Sequence, residues 1–173
     1  MKARGPRLGA RDWGLAAAAI ALLVDQGSKI LLLYALNFRD MPGKHLQILP
    51  FFNLVMVWNR GISYGLLPAH GRIGTVLLAV FSALAVAGLG WWLWNARRTA
   101  LAIGLGLVIG GALGNLIDRL VYGKVADFFH FYAGRYDWYV FNMADCAITV
   151  GVVTLLYDAL LRSEPAAQKG KLE

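Results

Sequence analysis

Three small polar clusters interrupt otherwise apolar stretches of this chain. Asp25 and Lys29 lie four residues apart, Asn115 precedes Asp118 by three and Arg119 by four, and Asn142 precedes Asp145 by three. On a helix each of these spacings puts the cluster on one face. Asp118 and Asp145 together offer a defined chemistry. Two carboxyl groups held close to one another cannot both ionise, so the pair shares a proton at neutral pH. The ionised member can take a proton from water as general base, while the protonated member donates to a carbonyl oxygen or a leaving amine. Such a pair hydrolyses amides without metal, serine or thiol. The blander alternatives are a neutralising Asp25/Lys29 pair that eases insertion into lipid, and interhelical polar contacts or helix ends at the other clusters, with Asn142 as an N-cap.

The elements that must position these groups follow from composition. Of 173 residues 58% are apolar, against 17 Lys and Arg and 10 Asp and Glu. Soluble domains run near a quarter charged, so a conventional soluble enzyme is excluded. Four stretches, 13–36, 73–94, 100–117 and 143–161, approach the roughly 20 residues that cross a hydrocarbon core. They define a single membrane-embedded domain over 1–173, with outer segments 37–72 and 118–142 and a solvated tail at 163–173. At a rise of about 1.5 Å per residue, Asp25 lies roughly 18 Å, Lys29 roughly 24 Å and Asp118 roughly 27 Å along their spans. Asp145 comes two residues into the fourth span, which runs inward from the outer face. All four are expected at the outer leaflet, and two carboxylates from different helices at one depth favour a site over chance polar contacts.

Orientation follows from the basic residues. Lys2, Arg4, Arg7, Arg11, Arg97, Arg98, Arg162, Lys169 and Lys171 crowd the termini and the 95–99 turn, whereas the two longer connections hold Arg39, Lys44, Arg60, Arg72, Arg119, Lys124 and Arg135 in about twice the length. Both termini are therefore expected in the cytoplasm. The net charge of +7 serves topology, which removes a nucleic-acid partner from consideration. A cleavable signal peptide is disfavoured for the first span, because apolar character resumes at Ile30 after Asp25-Gln26-Gly27-Ser28-Lys29.

The alternation over 51–59 predicts a strand with Phe52, Leu54, Met56 and Trp58 on one face and Asn53 and Asn59 on the other. Val125, Phe128, Phe129 and Tyr132 recur at helical spacing, which predicts a helix in the second connection. The aromatics between Phe128 and Phe141 suit a belt at lipid headgroups, or a lid at the same depth. Gly106, Gly110 and Gly114 would let another helix approach the third span closely. Gly104-Leu105-Gly106 imitates a dinucleotide fingerprint with the wrong spacing and no preceding strand. Gly61-Ile62-Ser63-Tyr64-Gly65 matches a serine-hydrolase elbow, with His130 and Asp118 or Asp127 in the required order, but the large α/β sheet it needs is missing. The single cysteine excludes an internal disulfide, and His45, His70 and His130 show no metal-ligand spacing, so neither metal nor cofactor is expected. A proton-relaying transporter subunit is the rival from another class. It would spread polar residues through the membrane depth, whereas the second span here is almost wholly apolar.

Taken in order, Asp25-Gln26-x-Ser28-Lys29, Asn59-x-Gly61, Gly110-Gly111-Ala112-x-Gly114-Asn115-x-x-Asp118-Arg119, Val125-x-Asp127-Phe128 and Phe141-Asn142-x-Ala144-Asp145 closely resemble the prolipoprotein signal peptidases, also called signal peptidase II, of bacterial inner membranes. The resemblance covers almost the whole chain. It implies an all-α integral membrane protein, a four-helix bundle with a small extracytoplasmic β-cradle and a short amphipathic outer helix. It implies an aspartic endopeptidase that removes signal peptides from diacylglyceryl-modified prolipoproteins before the lipidated cysteine, and that globomycin-type cyclic peptides inhibit. Carried over by position, Asp118 and Asp145 resemble the catalytic dyad. Asn59, Gly61, Asn115, Arg119, Asn142 and Ala144 resemble substrate-binding or dyad-orienting residues, with Asp25, Lys29 and Asp127 in support. Ser63, Tyr64 and Cys146 depart from the residues common in the family. Cys146 points about 100° from Asp145 on a helix and reads as packing.

Overall fold

A computed structural model describes residues 8–40, 45–61 and 71–163 of the chain. Four helices, α1 (Ala10–Ile30), α2 (Gly71–Trp94), α3 (Thr99–Tyr122) and α4 (Met143–Ser163), are joined at one end by four strands, β1 (His45–Leu49), β2 (Phe52–Asn59), β3 (Val125–Ala133) and β4 (Tyr136–Asp137). A π-helical turn, Leu31–Ala35, extends α1. All four helices are long and apolar enough to cross a membrane. Their burial is inverted relative to a soluble bundle. Leu23, Val80, Phe81 and Leu156 face outward, whereas Asp25, Lys29, Asn115, Asp118 and Asn142 are buried. Lipid is the solvent that makes this arrangement favourable, since polar side chains gain only by facing one another.

The middle helix of the bundle is α3, which packs against the other three and against β3. Small residues permit this. A Cβ on Gly106 would lie 2.1 Å from the carbonyl oxygen of Gly14, and one on Gly110 would lie 2.4 Å from that of Ala18, so the backbones of α1 and α3 touch along this stripe. On another side, a Cβ on Gly111 would lie 2.5 Å from the Ala144 carbonyl of α4. At the end remote from the sheet, Arg98, the N-cap of α3, pairs with Asp158 of α4, and the Arg11 guanidinium of α1 lies 4.2 Å from the Trp94 ring centre of α2. Gly123 adopts φ 70°, a left-handed cap whose N–H bonds to Arg119, and it stops α3 two residues before β3 begins.

The sheet is antiparallel in the order β1-β2-β3-β4. Leu32 and Leu33 of the π turn pack with Phe38, Met56, Ala126 and Phe128 to seat it on the bundle. The predicted strand at 51–59 is present as β2, with Leu54, Met56 and Trp58 joining this apolar cluster. An irregularity between Leu54 and Val57 inserts one extra residue opposite β3.

Two expectations are corrected. Residues 125–132 do not form a helix: β3 runs through them and pairs with β2 from Phe52↔Phe131 to Asn59↔Val125. Val125, Ala126, Asp127 and Phe128 are all buried in succession, which no single helix face produces, and the aromatic and β-branched side chains suit a strand covered on both sides. No helix outside the four long ones occurs among the described residues, apart from the π turn. The third span also continues beyond 117 to Tyr122, so Asp118 and Arg119 lie within α3. Ser63, Tyr64, Lys44, His70 and the 164–173 part of the tail lie outside the described residues.

Candidate active site

The three polar clusters of the sequence meet where α1, α3 and the start of α4 come together beneath β3. The contact that organises them is Lys29. Its Nζ lies 2.8 Å from Asp25 Oδ2 and 2.9 Å from Asp118 Oδ2, with all three side chains almost fully buried. It also donates to Asn115 Oδ1 at 3.3 Å. One ammonium thus faces two carboxylates, from α1 and α3, in a medium that penalises any unpaired charge.

Each carboxylate has a further task. Asp25 Oδ1 accepts the Ala144 N–H at 2.9 Å, so a negative charge sits against the first turn of α4, where free backbone donors and the helix dipole favour it. Asp118 Oδ2 accepts the Ala126 N–H at 3.0 Å, which fixes the residue immediately before Asp127. Gln26 completes the group by donating to Asp25 Oδ2 at 3.1 Å, to the Gly114 carbonyl at 3.2 Å and to Asp118 Oδ1 at 3.3 Å.

Asn142 closes the other side. Its Oδ1 accepts the Asp145 N–H at 3.1 Å, while Asp145 Oδ2 accepts the Asn142 N–H at 3.2 Å. This reciprocal capping box starts α4. The Asn142 Nδ2 points away from the helix and donates to Asp127 Oδ1 at 2.7 Å, to Asn115 Oδ1 at 3.1 Å and to the Ala126 carbonyl at 3.3 Å. Asn115 in turn donates to Asp145 Oδ1 at 3.4 Å. Asp127 and Asp145 therefore share Asn142, one on its side-chain amide and one on its backbone N–H.

Asp127 is 1% exposed. Burial, followed by the nearby negative charge of Asp145, pushes its carboxyl up to about 7, against the pull of hydrogen bonds from Asn59 and Asn142. Asn59 Nδ2 donates to Asp127 Oδ2 at 3.1 Å and to the Tyr139 hydroxyl at 2.7 Å, and Asn59 Oδ1 accepts the Gly61 N–H at 2.8 Å. The Gly61 carbonyl accepts from Arg119 at 3.0 Å, and Arg119 also donates to the Asn115 carbonyl at 3.2 Å. The guanidinium thereby clasps the end of β2 to α3.

Every residue that the resemblance assigns to the site lies in this network: Asp25, Lys29, Asn59, Gly61, Asn115, Arg119, Asp127, Asn142, Ala144 and Asp145 join Asp118. The pairing within it differs from the one expected. Asp118 meets a cation and a backbone N–H, the partners of a structural carboxylate, whereas the carboxyl pressed by Asp145 is Asp127. Gln26 and Tyr139 were given no role from sequence. Gln26 stood within the quoted motif as a polar residue in an apolar span, while Tyr139 was one aromatic among eight. Cys146 is half-buried, and no group of three or more His, Cys, Asp or Glu is placed to hold a metal among the described residues.

A family profile described as signal peptidase (SPase) II matches residues 17–161. The chain belongs to the signal peptidase II family. Among its curated relatives, a lipoprotein signal peptidase of Rhodopseudomonas palustris is 48% identical over 90% of this chain and 95% of its own length. One from a Methylobacterium strain is 48% identical over 85% of this chain and 88% of its own. Two solved bacterial membrane enzymes are similar in fold. One has a TM-score of 0.77 at 23% identity over 88% of this chain and 90% of its own, and the other 0.71 at 26% identity over 87% and 93%. Membership of this signal peptidase II family makes the chain a protease of lipoprotein processing with a membrane-spanning bundle.

Proposed function

We propose that the chain is an intramembrane aspartic endopeptidase that removes signal peptides from diacylglyceryl-modified prolipoproteins, cleaving before the lipidated cysteine, with Asp127 and Asp145 as its dyad. The observation that carries this reading is the opposition of two carboxyl groups across Asn142, with Asp145 helping to hold Asp127 protonated near neutral pH. Asp145, ionised, takes a proton from a water that attacks the scissile carbonyl carbon, while Asp127 gives its proton to the carbonyl oxygen. In the collapse of the tetrahedral intermediate the proton held by Asp145 passes to the leaving nitrogen, Asp127 takes back the one it lent, and the C–N bond breaks. Both carboxyls return to their starting states.

Asp118 is then a positioning residue: through the Ala126 N–H it fixes the strand that carries Asp127, and through Lys29 it is tied to Asp25. Asn59, Gly61 and Arg119 hold the end of β2 over the dyad. The enzyme sits in the inner membrane of a bacterium with both termini cytoplasmic, so the sheet and the dyad lie at the outer leaflet, where a lipidated substrate can enter from the side. Globomycin-type peptides are expected to inhibit it. A proton-relay subunit is less well supported, because the polar network occupies one end of the bundle and α2 contributes no ionisable group within its span beyond Arg72.

The test is incubation of purified protein with a lipidated precursor peptide. Release of signal peptide by the native chain and its loss in both Asp127→Asn and Asp145→Asn are expected. No cleavage by the native chain, together with proton flux in liposomes, would overturn the reading.

A further inference from the structure

Beside the carboxylate network, and sharing Arg119 with it, lies a cavity of about 520 Å³ whose lining among the described residues includes Arg60, Arg72, Arg119 and Lys124 with Thr75 and Tyr122, and no carboxylate. Four cations in one recess repel one another, so the recess is stable only if an anion occupies it or water screens it. Arg119 has Asp127, Asp145 and Asp118 nearby to balance it. Among the described residues, Arg60, Arg72 and Lys124 take part in no ion pair. Lys124 rests instead over the Trp58 ring at 4.2 Å, which orients its ammonium without neutralising it.

A second recess of about 390 Å³ continues the first along α2 and α3, lined by Val76, Ala79, Val80, Ala83, Leu116 and Leu120. The two share Thr75, Val76, Arg119 and Leu120 and so form one channel. Its cationic part lies at the sheet end of the bundle, and its apolar part runs down the membrane-spanning faces. This is the outline of an amphiphile with an anionic head and an acyl chain. The diacylglyceryl cysteine of a prolipoprotein fits the apolar part alone, because that group carries no charge and leaves three cations unmatched.

The geometry points to a binding site for an anionic phospholipid, its phosphate held by Arg60, Arg72 and Lys124 and one acyl chain laid between α2 and α3. Basic pockets between membrane helices on the cytoplasmic side bind phosphate headgroups, and the same charge pairing is available to a phosphate at this end of the bundle. The inference stands on the membrane-spanning fold and the cavity, independently of the proposed cleavage.

The full chain in a neutral maltoside is titrated with dioleoylphosphatidylglycerol, dioleoylphosphatidylcholine, dioleoylglycerol and inorganic phosphate, with bound ligand counted by native mass spectrometry. Phosphatidylglycerol is expected to bind in preference to the other three. At about 1 kcal/mol per basic residue, or roughly five-fold, R60Q/R72Q should bind it about 25-fold more weakly. R11Q/R97Q, which removes as many cations from the opposite end, should match the native chain. Equal loss in R11Q/R97Q, equal binding of phosphatidylcholine or dioleoylglycerol, or inorganic phosphate binding as tightly as the lipid would each overturn the site. Should R60Q/R72Q not fold, K124Q carries the test: about a five-fold loss supports the site and no loss refutes it.

Discussion

A 2.7 Å hydrogen bond from Asn142 Nδ2 to Asp127 Oδ1 ties the residue that caps α4 to the strand β3. The same residue holds Asp145 through the capping box, so one side chain sets the relative placement of both members of the proposed dyad. Serine at 142 keeps an N-cap oxygen and loses the amide donor. Asn142→Ser should cost about 1 to 3 kcal/mol, because buried oxygens of Asp127 and Asn115 lose a donor, and Asn142→Ala, which loses the cap as well, about 1 kcal/mol more. Both should slow cleavage by about ten-fold or more, since a mispositioned general acid loses part of its usual contribution of about 100-fold and above. Melting curves and initial rates on the two variants separate the two effects.

The raised carboxyl of Asp127 gives a pH dependence of definite sign. Its value is about 7 in the folded protein against 3.8 for an unperturbed aspartate. The folded state thus binds a proton that the unfolded state has already lost between these values, and the contribution of Asp127 to stability falls as pH rises through that window. Asp127→Asn cannot lose this proton. Its melting temperature relative to the native chain should rise from about pH 4 to pH 7 and level off above that, and a constant difference would contradict the assignment. Cleavage by the native enzyme should decline above about pH 7, as the general acid ionises.

Lys29 bridges Asp25 and Asp118. Lys29→Met leaves two buried carboxylates facing one another, and removing one partner of a buried ion pair costs about 3 to 5 kcal/mol. Adding Asp118→Asn to Lys29→Met should recover part of that loss, because the remaining carboxylate, Asp25, keeps the Ala144 N–H. Denaturation of the single and double variants in detergent measures the coupling.

At Gly114 a Cβ would fall 2.2 Å from Asp25 Oδ2. Gly114→Ala should displace that carboxylate from Lys29 and from the start of α4, at a cost of about 1 to 3 kcal/mol, with a matching fall in activity. Gly88→Ala, where nothing lies within 4 Å of the new atom, is the control and should leave both unchanged.

Much of the bundle was legible because lipid imposes length and apolarity on α1 to α4, and because a glycine every fourth residue at 106, 110 and 114 marks the face that α1 approaches. The polar clusters were legible for a related reason: an ionisable group in an apolar span is rare without a partner. Two things were not. Val125, Phe128, Phe129 and Tyr132 satisfy a helical period by accident, and only the open edge of β2 decides that they form a strand. The proposed choice of Asp127 over Asp118 rests on where Lys29 reaches, a long-range contact that spacing within one helix does not encode.

Cleavage of a lipidated precursor by Asp127→Asn and Asp118→Asn, compared at equal amounts of folded protein, tests the proposed dyad most directly. Asp127→Asn should release no signal peptide while keeping its fold, and Asp118→Asn should keep measurable turnover, because asparagine can still accept the Ala126 N–H and Lys29 still has Asp25. Substantial turnover by Asp127→Asn, with none by Asp118→Asn, would contradict the pairing of Asp127 with Asp145.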